Sequence, residues 1–371
     1  RNTAATPPNV SVNDQSNHFV REVPEKEIFP FKESITGYPT ILNVFNVVFY
    51  PDERGPYNYD VDRTAYSEGV DSEGKLRAPE TRWGGIMRDL QTNDFEAANI
   101  EYIEFWMMDP FVYEQNHAGG DLYFNLGYIS EDILKDGRKS FENGLPTTSL
   151  VELVDTTTWG RVPLQQSLVP AFDNDPTART YQDIGFDGLN DAEEASFFRD
   201  YITRIQSVVT DPTARAKVLQ DPSSDNYHFF RGSDYDAEPN FSIMDRYKDF
   251  NGPDGNSPTA SQSPESYPTS ATLMPDVEDI NQDNTLNEEE AYFQYHVRLD
   301  PNNMDEVGEN FITDIIESDV TLKNKQQAKV KWYQFKIPVD EWESKHGPIS
   351  DFRSIRFVRM FMHGFTDTIV T

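Results

Sequence analysis

The sequence predicts a mainly β protein: an antiparallel β-sandwich of the jelly-roll or galactose-binding kind, with a long, loop-rich and partly helical insertion. Three observations support this fold class. One strand-like stretch carries apolar residues on both of its alternating faces, similar runs recur near both ends of the chain, and the acidic middle carries almost none. Strands that are distant in sequence and apolar on both faces need covering layers, and a sandwich provides them.

The run Tyr-Ile-Glu-Phe-Trp-Met-Met at 102–108 alternates as a strand does. Ile103, Phe105 and Met107 fall on one face, and the other face carries Trp106. A strand with one solvated face would place a polar residue at every second position. The sequence therefore predicts a central strand that is covered on both sides.

Strand-like runs on either side of this stretch supply the remaining layers, and they lie at 41–50, 122–129, 292–299, 330–337 and 355–362. The predicted organisation follows the chain in four parts. These are an extended N-terminal arm (1–38), the first half of the sandwich (39–154), an acidic insertion with short helices and calcium-loop-like turns (155–287), and the second half of the sandwich (288–371).

Two helices are predicted inside the insertion. The first covers 192–209, where Phe198, Ile202 and Ile205 recur at helical spacing behind acidic residues that suit a helix N-terminus. The second covers 213–220, between two Asp-Pro pairs that favour helix boundaries.

Composition excludes several classes of protein. The chain has 64 acidic and 32 basic residues, which gives a formal charge of -32 and disfavours binding to nucleic acid or to anionic lipid. Cysteine is absent, so disulfides and thiolate metal sites are excluded, and calcium is the expected alternative staple. No apolar run is long enough for a spanning helix. The chain opens at Arg1 without a signal peptide, and we expect it to be an excised or processed piece.

Two stretches have the spacing of calcium-binding loops. In the first, oxygen-bearing side chains occupy the ligand positions of such a loop, and an asparagine takes the place of the usual glycine at its sharp turn. These residues are Asp279, Asn281, Asp283, Thr285, Asn287 and Glu290. The alternative is an Asp/Asn-rich turn whose side chains cap backbone N–H groups.

The second stretch keeps the sharp-turn glycine, Gly188, but has Gly185 at a ligand position. Its candidate ligands are Asp183, Asp187, Asn190, Asp191 and Glu194. The same capping alternative applies here. The sequence thus predicts structural calcium that orders the insertion, with no catalytic residues.

Catalytic motifs are absent from the sequence, which has no nucleophile elbow, no zinc-protease helix and no thiol nucleophile. The six histidines are scattered, and a lone strand histidine such as His296 is more often a packed or surface residue than a ligand. Paired carboxylates decide nothing in so acidic a chain. Trp159, Trp332 or Trp342, if exposed, could stack on sugars. We therefore predict that the chain is not an enzyme.

Several unusual blocks carry a resemblance to a known family. They are the stretches at 49–59 (F-Y-P-D-E-R-G-P-Y-N-Y), 82–110, 183–194, 245–258 and 276–290, together with the closing S-I-R-F-V-R-M-F. In these blocks the chain resembles the SprA/Sov family, the giant outer-membrane translocons of the type IX protein secretion system, which are also tied to gliding motility.

The resemblance implies a role in protein export. The family forms a very large β-barrel pore with inserted domains, and this chain resembles one soluble, non-enzymatic insertion that caps or lines the export route. The implied partners are the rest of the translocon barrel, its accessory lipoprotein and plug subunits, and exported cargo proteins. The implied location is the outer membrane, with membrane association only through the full-length barrel and the module exposed at the extracellular or periplasmic face. The alternative is a calcium-stabilised carbohydrate-binding or adhesion module of the cell surface.

Overall fold

The computed structural model describes residues 6–33, 37, 39–134, 137–138, 153–164, 175, 177, 187–189, 191–226, 230–232, 234–249 and 279–371. Its strands are β1 (Val23–Pro24), β2 (Ile41–Leu42), β3 (Val48–Phe49), β4 (Trp83–Asp89), β5 (Tyr102–Met108), β6 (Gly120–Tyr128), β7 (Val154–Thr156), β8 (Arg161–Pro163), β9 (Ala291–Leu299), β10 (Ile312–Thr321), β11 (Gln327–Pro338), β12 (Ser344–His346), β13 (Phe357–His363) and β14 (Ile369–Val370). Its helices are α1 (Phe95–Ala98), α2 (Asp191–Phe197), α3 (Arg199–Val208), α4 (Pro212–Gln220) and α5 (Ile243–Lys248).

Two antiparallel sheets form the main body, which confirms the predicted mainly β, sandwich-like class. One sheet has the order β12-β9-β6-β13-β4 and the other has the order β10-β11-β5. Their inner faces share one hydrophobic core, in which the Phe105 ring lies 5.0 Å from Phe335 within its own sheet and 5.4 Å from Phe124 of the opposite sheet. Sequence runs from both ends of the chain therefore meet in this core.

The strand at 102–108 lies at the edge of its sheet, so the prediction of a central strand is wrong. Only β11 pairs with β5 among the described strands. Both of its faces are nevertheless covered, as the alternation predicted. Phe105 and Met107 face the inter-sheet core, whereas Trp106 and Met108 pack beneath the N-terminal arm. The apolar pattern correctly predicted that both faces of the strand are covered. It did not indicate whether the strand lies at the edge or in the centre of its sheet.

The predicted strand at 41–50 is also wrong as a single element. Its two ends form separate two-residue strands: β2 pairs with β1, and β3 pairs with β14. Residues 43–47 between them form no strand. The run is apolar as described, but its two ends pair with different strands.

Two strands lack a clear sequence signal. In β4 two glycines weaken the pattern, yet Gly85 is required, because a Cβ there would collide with the Phe361 Cβ and the Met360 carbonyl oxygen of the neighbouring strand. In β10 acidic residues such as Asp314 and Glu317 interrupt the alternation at the exposed edge of the smaller sheet.

The helices of the insertion form a second hydrophobic core. The predicted helix at 192–209 is present as α2 and α3, and its predicted apolar positions Phe198, Ile202 and Ile205 are buried. The helix predicted at 213–220 is α4, which Asp211 caps by accepting a hydrogen bond from the Ala214 N–H at 2.7 Å. Loop residues that precede the first sheet, including Val61, complete this core. The four-part division of the chain stays a prediction.

Candidate metal centre

A hairpin and a glycine fix the position of the first candidate ligand, Asp187. The Arg161 N–H of strand β8 donates to the Asp187 carbonyl at 2.8 Å. Gly160 lies against the same residue, and a Cβ at this glycine would overlap the Asp187 carbonyl. Gly188 follows with a φ of 68°, the left-handed conformation that its place in the predicted loop requires. The local backbone therefore turns the Asp187 side chain inward.

Two further carboxylates reach the same point from other elements. Glu194 projects from α2, and Asp225 comes from the segment that follows α4. Carboxylate oxygens of Asp187, Glu194 and Asp225 lie within 4.8 Å of one another, and all three residues are almost completely buried. Within the described ranges, this is the group of acidic or histidine side chains close enough to share an ion. We call it the acidic trio.

Ser223 ties the acidic trio to the chain around it. Its hydroxyl donates to Asp187 Oδ2, and its backbone N–H donates to Glu194 Oε2 at 3.0 Å. The Tyr59 hydroxyl donates to Ser223 Oγ at 3.2 Å, and the Leu189 N–H donates to Asp187 Oδ1 at 2.9 Å. These bonds hold two of the carboxylates in fixed orientations.

Burial disfavours the ionised forms of these acids. It raises the pKa of Asp187 to about 6. It also raises the pKa of Glu194 to about 7, and the nearby negative charge of Asp187 adds to this shift. At neutral pH the acidic trio therefore carries negative charge in a site that disfavours it. A bound cation would relieve this cost.

The donor set fits a hard divalent cation. Carboxylate oxygens are the ligands of calcium, which accepts mixed and flexible oxygen geometries. Asp187, Glu194 and Asp225 would hold such an ion, and Ser223 would orient two of them. Calcium there would offset most of the buried negative charge and join residues 187–189, which the β7–β8 hairpin holds, to α2 and to the segment after α4.

Two of the ligands predicted for the second loop thus lie in this site. The structure brings Asp187 and Glu194 together, whereas Asp183, Asn190 and the side chain of Asp191 lie outside what it describes. Sequence reasoning missed Asp225, which follows a turn and shares no loop spacing with the others. Only the fold brings it close.

In the predicted first loop, side-chain oxygens accept hydrogen bonds from the loop's own backbone N–H groups. Asp279 is buried and accepts from the N–H groups of Asp283 and Asn284, each at 3.0 Å. Asn284 has a φ of 63°, so it adopts the left-handed turn expected at its position. Asp283 accepts from the Thr285 N–H at 2.9 Å. This is the capping pattern of an Asp-rich turn.

Glu131 fastens this loop to the end of β6, and sequence reasoning missed it. The carboxylate is buried and accepts from the Ile280 N–H at 2.8 Å and from Asn287 Nδ2 at 2.6 Å. Burial raises its pKa. Glu290, the last predicted ligand of the loop, instead pairs with Arg359 at 3.0 Å. Calcium binding by the first loop stays a prediction.

Comparison with known proteins adds the family. Residues 200–371 match the family model SprA_N, described as motility related/secretion protein. Residues 200–371 belong to the SprA/Sov family. The SprA_N match contains most of α3, the whole of β9 to β14, Asp225 and the first loop, while Asp187 and Glu194 precede it. No curated protein matches the chain. In the described part of the chain, no helix combines the length and the apolarity needed to cross a bilayer.

Proposed function

We propose that this chain is a non-enzymatic module of an outer-membrane protein-secretion translocon of the type IX kind, where it caps or lines the export route. The observation that carries the proposal is the match of residues 200–371 to a motility and secretion family. The partners in this proposal are the rest of the translocon, its accessory subunits and the exported cargo.

The acidic surface supports this role. With a formal charge of -32, the module repels acidic cargo that passes over it, and nonspecific adhesion is thereby reduced. We propose that structural calcium at the acidic trio stiffens the helical part of the module, because one ion would join three separate chain segments. A stiff, repellent wall suits a route through which many different chains must pass.

Cross-linking in export-competent cells tests the role. Because the sequence contains no cysteine, one cysteine placed at the exposed Tyr66 gives a unique attachment point within this chain. We expect a cysteine-directed cross-linker at that position to capture cargo or translocon subunits while export is active, and to capture less when cargo synthesis is stopped. Normal export in cells that lack the protein, together with no captured cargo or subunit, would contradict the proposal.

One observation favours the second candidate, a carbohydrate-binding module. On the outer face of the larger sheet, the Tyr123 ring stacks on Phe361 with centroids 4.8 Å apart and on His296 with centroids 5.4 Å apart. Trp83 extends this aromatic row and is 67 % exposed. Flat exposed aromatic rings can stack on sugar rings and leave polar neighbours free for hydroxyl groups.

The tryptophans singled out in the sequence are less suited to this task. Trp332 is 5 % exposed and donates its Nε1–H to Glu27 at 2.8 Å, so its candidacy for sugar stacking is wrong. Trp342 is partly exposed but leans on Phe293, with ring centroids 5.8 Å apart. Trp159 is half-buried.

A glycan array separates the two candidates. If the module binds carbohydrate, Trp83→Ala should abolish the array signal, and Tyr66→Ala, which removes an exposed ring outside the row, should leave it unchanged. An array without signal for the unsubstituted protein removes the carbohydrate candidate and leaves the secretion role standing.

A further inference from the structure

An apolar cavity of about 430 Å³ runs along the free edge of strand β5. Six successive residues of the strand, 103–108, line it. Successive side chains of a strand point to opposite faces, so a cavity touched by six in a row lies beside the strand edge and not over one face. Residues 42–47 form the opposite wall, and Leu122 and Phe124 of the larger sheet form the floor.

The edge of β5 offers unsatisfied backbone groups to this cavity. In the described part of the chain, the backbone hydrogen bonds of residues 102–108 run to β11, and no other group bonds to their backbone. In an antiparallel pair, alternate residues direct both N–H and C=O away from the partner strand. A row of such groups beside an apolar wall is a template for one more strand.

The opposite wall does not fill that place. Residues 43–47 form no strand, although β2 and β3 flank them on either side. Val47 exchanges two backbone hydrogen bonds with Thr371 at 2.9 and 3.0 Å, which holds this wall away from β5. The space between the two walls is therefore a slot at the position of a missing strand of the smaller sheet.

The mouth of the slot is apolar, and one end of it carries an unused cationic donor. Phe45 is 68 % exposed, and Phe29 and Val44 beside it are also exposed, in a chain with a strongly acidic surface. The Arg21 side chain is more than nine-tenths buried and lines the slot, yet its Nε has no hydrogen-bond partner within the described residues. The Nε2 of His18 is likewise buried without one. An unmet buried donor such as Arg21 Nε is costly, so it indicates an acceptor that the occupant brings.

We propose that this slot binds an extended apolar peptide segment of another protein, which adds as a strand to the edge of β5. Its backbone pairs with β5, its alternate apolar side chains enter the core side of the slot, and a hydrogen-bond acceptor at one end meets Arg21 Nε. The guanidinium charge is already paired with Glu27, so the free Nε–H needs only an acceptor, and its place at one end of the slot selects the direction of the peptide. The site does not depend on the secretion role, because any partner that presents such a segment can use it.

Peptide display on the whole 371-residue chain provides the test. The probe is a library of random peptides about seven residues long, the length that pairs along β5. We expect it to enrich sequences with alternating apolar residues and, at one end, a residue whose side chain carries a hydrogen-bond acceptor. Hydrogen exchange with an enriched peptide should slow amides within 102–108 most strongly. Methylating the peptide's alternate amide nitrogens should abolish binding.

Matched variants locate the site without entering the core. Phe45→Asp at the mouth should weaken binding of the enriched peptide at least about tenfold, because it places a charge on the apolar entrance. Tyr66→Asp makes the same change at another exposed ring and should leave binding unchanged. No enrichment of extended peptides, or protection that falls outside β5, would overturn the proposal. So would a fluorescent fatty acid that binds with sensitivity to Phe45→Asp while no peptide does, because the cavity would then be a lipid site.

Discussion

At the scale of single residues, the acidic trio shows how burial turns ordinary carboxylates into candidate ligands. Asp187 and Glu194 are held by hydrogen bonds from Leu189 and Ser223, and their pKa values are raised because burial penalises their charge. These hydrogen bonds orient the carboxylate oxygens but do not neutralise their negative charge. Two consequences can be measured.

Asp187→Asn should remove most of the stabilisation that calcium gives. The unsubstituted protein should gain about 2.7 kcal/mol of unfolding free energy when free calcium exceeds its dissociation constant about a hundredfold. The variant keeps an oxygen for the Leu189 N–H but loses the charge that attracts the ion. Thermal melting in calcium and in chelator measures both. Asp351→Asn, at a partly exposed acid outside the candidate loops, serves as the control and should retain the full shift. Equal shifts in the two variants would place calcium elsewhere.

The calcium-free protein should lose stability as the pH rises. The folded-state pKa values of Asp187 and Glu194 are about 6 and about 7, above the ordinary values of 3.8 and 4.5. The folded state therefore binds more protons than the unfolded state between these limits, so this contribution is present below about pH 4 and is lost by about pH 7. Melting in chelator from pH 4.5 to 7.5 should fall more steeply for the unsubstituted protein than for an Asp187→Asn, Glu194→Gln double variant. Parallel curves would argue against the shifts.

At the scale of elements, the sequence predicted what local patterns control. The burial of Phe198, Ile202 and Ile205 on one helical face follows from their spacing, and the alternation at 102–108 correctly assigns Phe105 and Trp106 to opposite covered faces. Edge or centre is not a local property, so the place of β5 could not be inferred. Two of the buried carboxylates were predicted as ligands for the same reason, because they share a loop spacing.

The contact of the β7–β8 hairpin with Asp187 gives an element-scale prediction. Gly160→Ala should destabilise the protein and weaken the calcium-induced shift in melting temperature, because the new Cβ meets the Asp187 carbonyl in a backbone conformation that disfavours side chains. Gly55→Ala is the matched control, since a Cβ there has open space around it. Thermal melting with and without calcium measures both variants. An unchanged calcium shift in Gly160→Ala would mean that the hairpin does not position the ligand.

At the scale of the whole molecule, the N-terminal arm forms an additional layer over the smaller sheet. Val23 and Ile28 of the arm pack against Val330 and Trp332, and buried Glu27 accepts from the Trp332 Nε1–H at 2.8 Å. Glu27 also pairs with buried Arg21. The sequence predicted an extended arm, but it did not indicate that the arm packs on the smaller sheet, because the two contacting segments lie near opposite ends of the chain.

Glu27→Gln should destabilise the fold by about 3 to 5 kcal/mol, because it leaves the buried Arg21 charge without its partner. Glu25→Gln removes a partly exposed ion pair with Lys32 and should cost at most about 1 kcal/mol. Denaturant unfolding followed by tryptophan fluorescence measures both, since Trp332 reports directly on the arm. Similar losses in the two variants would show that the arm contributes little.

The contact between Glu27 and Trp332 can form only late in the synthesis of this sequence. The hydrogen bond between Glu27 and Trp332 closes across 305 residues. At a translation rate of about 5 to 20 residues per second, the arm leaves the ribosome roughly 15 to 60 s before its seat has been made. During that interval the apolar side chains of the arm cannot pack against their native partners. A nascent chain that is released early would expose them to solvent. A chaperone that holds the arm would therefore be most useful until β11 has been synthesised.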